Sequence, residues 1–309
     1  MKHCLLFPGQ GAQTVGMGAD LANGPEACRA LFARASNVLG FDLLKMCLEG
    51  PLEELTRSCN TQPAIFVVSA AARAALGHCV GQPLQVSGAA GLSSGEWAAL
   101  YEGRALTFED TIRILRARGQ YMQEACEAVP SGMIAIVGAT PAQLEELCAK
   151  TGCTVANVNS TAQQVLSGSK DEIAAAATVA KDLGIKRAIP LATAGAFHSK
   201  FMQPAREKLA PVLDGITFNA PKMPVLSNVT GKPHASDPAA IKATMLEQVT
   251  GTTNWAADVE AAKALGCTRF VEFGPGKVLS GLVKKIDAAL TVLNVADLAS
   301  LDATLAALA

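Results

Sequence analysis

The chain has 309 residues, half of them hydrophobic, and its 26 Lys and Arg nearly cancel its 27 Asp and Glu, leaving a net charge of −1. A chain of this length and apolar content can bury a large core. Near-neutrality and an aromatic content of 5% leave neither the electrostatic footprint nor the stacking platform that nucleic acid requires.

The first residues, Met1-Lys2-His3-Cys4-Leu5-Leu6-Phe7, carry an apolar run too short for the core of a signal peptide and read as a first strand. No run of about 18 uncharged apolar residues occurs, so no membrane span is expected. The nine cysteines form no C-x-x-C pair and read as free thiols of a reducing cytoplasm. None of the four histidines stands at ligand spacing from a cysteine, and no metal site is expected.

After the first strand, Phe7 to Gln13 is a loop whose glycines at 9 and 11 let the backbone come close to a neighbour. Helices follow over roughly 16–47. Thr61-Gln62-Pro63 reads as the start of the next helix, with Thr61 as cap and Pro63 in the first turn, running through the alanine-rich 64–76. Gln85-Val86-Ser87 opens a strand over 85–90, and Trp97 to Tyr101 begins a helix beyond it. Between them, Gly91, Ser93 and Gly95 spell Gly-x-Ser-x-Gly. A strand that turns sharply into a helix brings backbones together, which flanking glycines permit, and holds the serine in the positive end of the helix dipole. Ser93 is therefore the candidate nucleophile.

Thr107 to Ala128 reads as a long helix. It carries Arg113, Arg116 and Arg118, and periodicity alone does not single out one of them, although Arg118 sits on or beside the apolar stripe. Then the pattern changes. Strands at 133–137, 154–158, 164–166 and 185–191, with helices to about Lys150 and over 170–183, give the order β-α-β-β-α-β. That order predicts a compact inserted module over 129–193, within a larger unit formed by 1–128 and 194–309. Beyond it, helices near 200–213, 237–249, 254–265 and 277–288 alternate with strands at 225–229, 269–273 and 291–295. The alternation implies a mainly parallel sheet covered on both faces.

A serine nucleophile needs a general base. His3 lies in the first strand, His78 sits at a helix end, and His234 falls in a Gly-Lys-Pro-His turn that reads as exposed. His198 occupies a small-residue loop leading into a helix, downstream of the serine as in α/β-hydrolase sheets, and is the candidate base. No acidic residue between them stands out as a third member, since Asp171 and Asp182 fall in the module, so a Ser–His dyad is expected, with a backbone carbonyl free to hold the imidazole.

The chain resembles the malonyl-CoA:acyl-carrier-protein transacylases, and through them the acyltransferase domains of polyketide synthases. The resemblance runs nearly end to end. It rests on Phe-Pro-Gly-Gln-Gly-Ala-Gln at 7–13, Gly-Leu-Ser-Ser-Gly-Glu at 91–96, Arg118 to Gln123, Gly-Ala-Phe-His at 195–198 and Phe-Gly-Pro-Gly at 273–276, with Asn157 to Ser160 and Phe218 to Pro221 also matching. It implies an α/β fold, an α/β-hydrolase-like parallel-sheet core with an inserted ferredoxin-like subdomain. It also implies roles. Ser93 is acylated and His198 moves its proton. The backbone N–H groups of Gln10 and Ser94 form an oxyanion hole. Arg118 clamps the malonyl carboxylate with a bidentate pair. Phe197 resembles the malonyl-type signature, whose bulk excludes an α-methyl branch. The implied partners are malonyl-CoA and an acidic acyl carrier protein, for which Lys277, Lys284 and Lys285 are candidate contacts. No cofactor is implied.

Three positions depart from the family pattern. Leu92 stands where histidine is usual before the nucleophile. Ser94 stands where a bulky apolar residue is usual, which would widen the pocket near the acyl group. Asn254 stands where a glutamine commonly offers a carbonyl to the histidine, and it is taken as the residue orienting His198. Two other functions share much of this pattern: an acyltransferase serving a polyketide synthase in trans, and a serine hydrolase or thioesterase, which would have no use for a carboxylate clamp.

Overall fold

A computed structural model describes residues 1–308 of the chain. Its strands are β1 (His3–Phe7), β2 (Val86–Gly91), β3 (Ser131–Val137), β4 (Thr154–Ser160), β5 (Gln163–Ser169), β6 (Arg187–Leu191), β7 (Leu226–Ser227), β8 (Lys232–Pro233), β9 (Arg269–Phe273) and β10 (Thr291–Val295). They form a parallel sheet in the order β10-β9-β1-β2, an antiparallel sheet in the order β4-β5-β3-β6, and a short β7-β8 ribbon. The fold is therefore mixed α/β. Among the described residues, no helix is long and apolar enough to cross a membrane.

The parallel sheet is covered on both faces, as the unbroken apolar run of β1 requires. Leu5 and Phe7 pack into one cluster with the helices Ser58–Cys79 and Phe108–Ala128, while Cys4 and Leu6 pack into another with Trp255, Phe270 and Leu279. Glu272 is fully buried in β9 because its carboxylate caps the next helix, accepting from Leu279 N at 3.0 Å and Ser280 N at 2.7 Å. The antiparallel sheet has its own core, with Ile134, Ile136 and Leu166 under the helices Pro141–Thr151 and Lys170–Asp182. Both of those helices start with a complete capping box, at Thr140 and Ser169.

Two boundaries differ from expectation. The helix predicted from Thr61 starts at Ser58, so Pro63 lies inside it. Proline has no N–H to donate to the carbonyl four residues back. That carbonyl, Cys59 O, instead accepts from Arg116 Nη1 at 3.0 Å, so a neighbouring helix supplies the missing donor. The strand predicted over 225–229 shrinks to the two residues of β7, with Val225 bridging Ala89 of β2. Asn228 is drawn out of the strand into contacts with the serine turn, described next.

Candidate active site

The Gly-x-Ser-x-Gly turn is built by close backbone approach. A Cβ on Gly91 would lie 2.0 Å from the Gly95 carbonyl, and one on Gly95 would lie 2.0 Å from Phe7 O. Only glycine fits at either position, and with both present the chain leaves β2 and enters the helix Ser94–Glu102 in one step. Ser93 caps that helix with φ 55° and ψ −110°, a positive-φ conformation that costs a non-glycine residue energy. Asn228 stabilises it: its Oδ1 accepts from Ser93 N at 2.7 Å, and its Nδ2 donates to Gly91 O at 2.8 Å.

His198 Nε2 is 2.7 Å from Ser93 Oγ. Its Nδ1 is 2.9 Å from the backbone oxygen of Gln248. A carbonyl only accepts, so Nδ1 carries the proton and Nε2 presents its lone pair to the serine hydroxyl. Burial, reinforced by the nearby Arg118 charge, pushes the imidazole pKa down to about 4, so the ring is neutral near pH 7. The loop carrying His198 is fastened to the antiparallel sheet. Ser167 Oγ in β5 donates to Phe197 O at 2.5 Å, and Ser131 Oγ in β3 accepts from Ala196 N at 3.1 Å. Phe197 packs on Met133, Ala135 and Val165. Ser93 follows a strand of one sheet, and the loop carrying His198 is held by the other.

Asn254 does not orient His198. Its side chain donates to Asn228 O and Val229 O, both at 3.1 Å, and its carbonyl begins the next helix by accepting from Asp258 N. The carbonyl that holds the ring belongs to a glutamine six residues earlier, Gln248.

Of the three arginines on the helix Phe108–Ala128, Arg113 pairs with Asp110, and Arg116 reaches the freed Cys59 carbonyl and Asn60 Oδ1. Arg118 alone turns to the serine. It is 1% exposed, with Nη2 at 3.2 Å from Ser93 Oγ and 3.1 Å from Gln248 Oε1, and Nη1 at 2.8 Å from Gln62 Oε1. Among the described residues it pairs with no carboxylate, and its Nε has no partner at all. Burial lowers its pKa to about 10, partly opposed by Glu96, so it is still a cation at neutral pH. A buried, charged guanidinium whose partners are two neutral amides and a hydroxyl is suited to receive an anion.

These groups open on a cleft of about 240 Å³. Gln10, Gln62, Leu92, Ser93 and Arg118 line one side, and Met133, Asn157, Asn159, Val165 and Leu191 of the antiparallel sheet line the other. A Cβ on Gly9 would lie 2.3 Å from Leu92 O, so the loop at 9–11 abuts the serine turn. The N–H groups of Gln10 and Ser94 make no hydrogen bond within the described residues. Ser94 Oγ faces the Gly9 backbone and Ser94 does not line the cleft, so its small size does not widen the acyl pocket.

Sequence reasoning also missed a buried layer beneath the serine. Glu96, Asn228, His234 and Gln248 are joined by hydrogen bonds, with Gln62 linked to them through Arg118, and His234, expected to be exposed, has a side chain only 1% exposed. Glu96, one turn after the nucleophile on an apolar helix, was the available signal. Lys285 reaches Gln163 of β5 at 3.0 Å, while Lys284 caps the end of its own helix region through Ala288 O.

Residues 4–301 match the family described as acyl transferase domain. The malonyl CoA-acyl carrier protein transacylase of Bacillus subtilis is 38% identical over 306 residues, covering 96% of this chain and 94% of that protein. A crystal structure of the malonyl CoA-acyl carrier protein transacylase from Clostridium perfringens superposes with a TM-score of 0.94 at 38% identity, covering 100% of this chain and 97% of that one. A type II PKS malonyl-transacylase in complex with its holo acyl-carrier protein superposes with a TM-score of 0.93 at 36% identity, covering 99% and 100%. Because the family match spans nearly the whole chain and relatives 38% identical cover almost all of it, the chain belongs to the acyltransferase family of the malonyl-CoA:acyl-carrier-protein transacylases.

Proposed function

We propose that this enzyme transfers the malonyl group of malonyl-CoA to the phosphopantetheine thiol of an acyl carrier protein through an acyl-Ser93 intermediate. The observation that carries the reading is the buried Arg118, without an anionic partner and 3.2 Å from Ser93 Oγ. A carboxylate seated on Arg118 places the thioester carbonyl of the same short acyl chain beside the nucleophile.

His198 Nε2 takes the proton as Ser93 Oγ attacks the thioester, and the N–H groups of Gln10 and Ser94 receive the developing oxyanion. The His198 imidazolium protonates the departing CoA thiolate. In the second half the neutral imidazole takes the proton of the carrier thiol, the thiolate attacks the malonyl ester, and Ser93 recovers its proton. No metal or redox cofactor is needed. The reaction supplies fatty acid synthesis, or a polyketide assembly line if the carrier belongs to one, and a cytoplasmic setting suits the nine unpaired cysteines. Phe197, packed on the antiparallel sheet at the cleft wall, supports selection against an α-branch.

The sheet arrangement supports an α/β-hydrolase-like large subdomain, 1–128 with 194–309, and a ferredoxin-like small one, 129–193. The cleft lies between them, with Lys285 at their junction as a carrier contact.

The deciding experiment is a competition among malonyl-, methylmalonyl- and acetyl-CoA in the presence of a carrier protein. The expected outcome is malonyl on the carrier thiol. Free malonate without carrier acylation would mark a hydrolase and overturn the reading.

A further inference from the structure

The layer beneath the serine has an internal order that the acyl-transfer steps do not use. Glu96 has a side chain 0% exposed, and its Oε1 lies 2.7 Å from His234 Nε2. Its Oε2 accepts from Gln248 Nε2 at 2.6 Å and from Asn228 N at 3.2 Å. Gln248 Nε2 also donates to Ser93 O at 2.9 Å, which leaves Gln248 Oε1 facing Arg118 Nη2 at 3.1 Å.

The direction of the Gln248 amide matters. Turned over, it would set its NH2 against the guanidinium and its oxygen against a carboxylate, two repulsive contacts in a dry interior. The Glu96 carboxylate therefore decides which way the amide points, and His234 holds that carboxylate from its far side. The other acid of the layer is Asp258, whose Oδ2 accepts from Asn228 Nδ2 at 2.7 Å. Burial, then the Glu96 charge, push its pKa well above the usual carboxylate range, and its hydrogen bond goes to Asn228 and not to the Gln248 amide, so Glu96 is the acid that faces that amide. His234 comes from the β8 end, far from Glu96 in sequence, and its backbone N is anchored to Val225 O at 2.8 Å.

We infer that His234 is a positioning residue of this site: through Glu96 and Gln248 it holds the Arg118 guanidinium in the orientation that receives an acyl group bearing a free carboxylate. The inference rests on the acyl-transfer reading above, and it concerns a side chain that touches neither Ser93 nor the cleft. A purely structural pair, pinning the β7-β8 ribbon to the helix Ser94–Glu102, would affect all acyl donors alike. A pair acting through Gln248 on Arg118 affects malonyl more than acetyl, since acetyl has no carboxylate for Arg118 to receive.

The test measures kcat/KM for acylation of Ser93 by malonyl-CoA and by acetyl-CoA, by intact mass, in the full-length wild type, His234→Ala and His234→Gln, with melting temperatures alongside. The glutamine amide keeps an N–H donor near the place of Nε2. For His234→Ala the malonyl value is expected to fall roughly tenfold and the malonyl-to-acetyl ratio roughly fivefold, with His234→Gln returning the ratio to within about twofold of wild type. An unchanged ratio in His234→Ala, whatever its melting temperature, overturns the inference and leaves the acyl-transfer reading standing. So does a His234→Gln enzyme no more selective than His234→Ala. A wild type that takes up no malonyl at all overturns both. Should His234→Ala not fold, Glu96→Gln replaces it: loss of the ratio is expected, and a retained ratio overturns the inference.

Discussion

Arg118 Nη2 and Ser93 Oγ lie 3.2 Å apart, so the charge that would bind the acid and the oxygen that would attack it share one site. The guanidinium is buried among neutral partners, Gln62 Oε1 and Gln248 Oε1. Acyl choice and acyl transfer are thus coupled by geometry. Replacing Arg118 by Ala removes charge-assisted bonds worth about 2–4 kcal/mol. Malonyl kcat/KM is expected to fall roughly 30- to 1,000-fold, with a relative gain for acetyl-CoA. Steady-state kinetics with both donors would show this, and an unchanged preference would remove the role assigned to Arg118. Arg118→Lys is expected to recover little, because a point charge cannot reproduce the fork.

Incubating the enzyme with malonyl-CoA alone is expected to leave a malonyl ester on Ser93, seen by intact mass and peptide mapping. Ser93→Ala should carry no label. Label that persists in that variant would place the acyl group elsewhere.

The pH profile follows from burial. Folding takes the His198 imidazole from its ordinary 6.5 down to about 4, because burial and then the Arg118 charge disfavour the imidazolium. The neutral base is thus present above about 4, and malonyl kcat/KM is expected to stay level from pH 8 to well below the usual histidine range before its acid limb begins. A limb at the ordinary imidazole value would contradict the buried environment. Stability moves with the same sign: below 6.5 the unfolded chain takes a proton that folded His198 refuses, so this group destabilises the fold as pH falls toward 4. Because Arg118 contributes to the depression, Arg118→Met is expected to raise the acid limb of acetyl transfer.

The serine turn has no room for a methyl group. A Cβ on Gly95 would stand 2.0 Å from Phe7 O and 2.8 Å from Pro8 O, both backbone atoms that cannot swing aside. Gly95→Ala is expected to cost ~3 kcal/mol or more and to abolish Ser93 acylation, whereas Gly281→Ala, where a Cβ meets nothing within 4 Å, should do neither. Thermal melting and acylation assays on the two variants would separate them.

Asn254 gives a final contrast. Since the His198 Nδ1 proton goes to the Gln248 backbone and not to residue 254, Asn254→Ala is expected to leave the pH profile in place, at the expense of some stability from its bonds to Asn228 O and Val229 O. A displaced acid limb in that variant would restore Asn254 to the catalytic base.

Local patterns in the sequence were enough to single out Ser93 and His198, which the fold brings to 2.7 Å, and to foresee the two kinds of sheet. Gly91, Ser93 and Gly95 announce a turn by their spacing, because the need for glycine is a matter of backbone crowding within a few residues. The β-α-β-β-α-β order of the small sheet follows from alternating local signals, and the strands pair as that order allows. Arg118 was distinguishable from Arg113 and Arg116 only through family resemblance, since all three lie within two turns of one helix. What separated them in space was their partners: Asp110 on the same helix for Arg113, the carbonyl freed by Pro63 for Arg116, and Gln62, Gln248 and Ser93 for Arg118.

The polar layer was settled by the tertiary structure alone. Glu96, Asn228, His234 and Gln248 come from a helix, a strand end, a ribbon and a helix end, and their hydrogen bonds join residues more than 130 positions apart. A lone histidine in a Gly-Lys-Pro-His turn looks exposed until a buried carboxylate is found opposite it. Sequence patterns report which face of an element is apolar, through a period that neighbours along the chain share. They carry no comparable signal for a buried polar group, whose burial is tolerated only when partners from elsewhere arrive with the right donors and acceptors. The turn that presents Ser93 was therefore written in the order of its neighbours, and the polar layer beneath it was decided where distant segments of the fold meet.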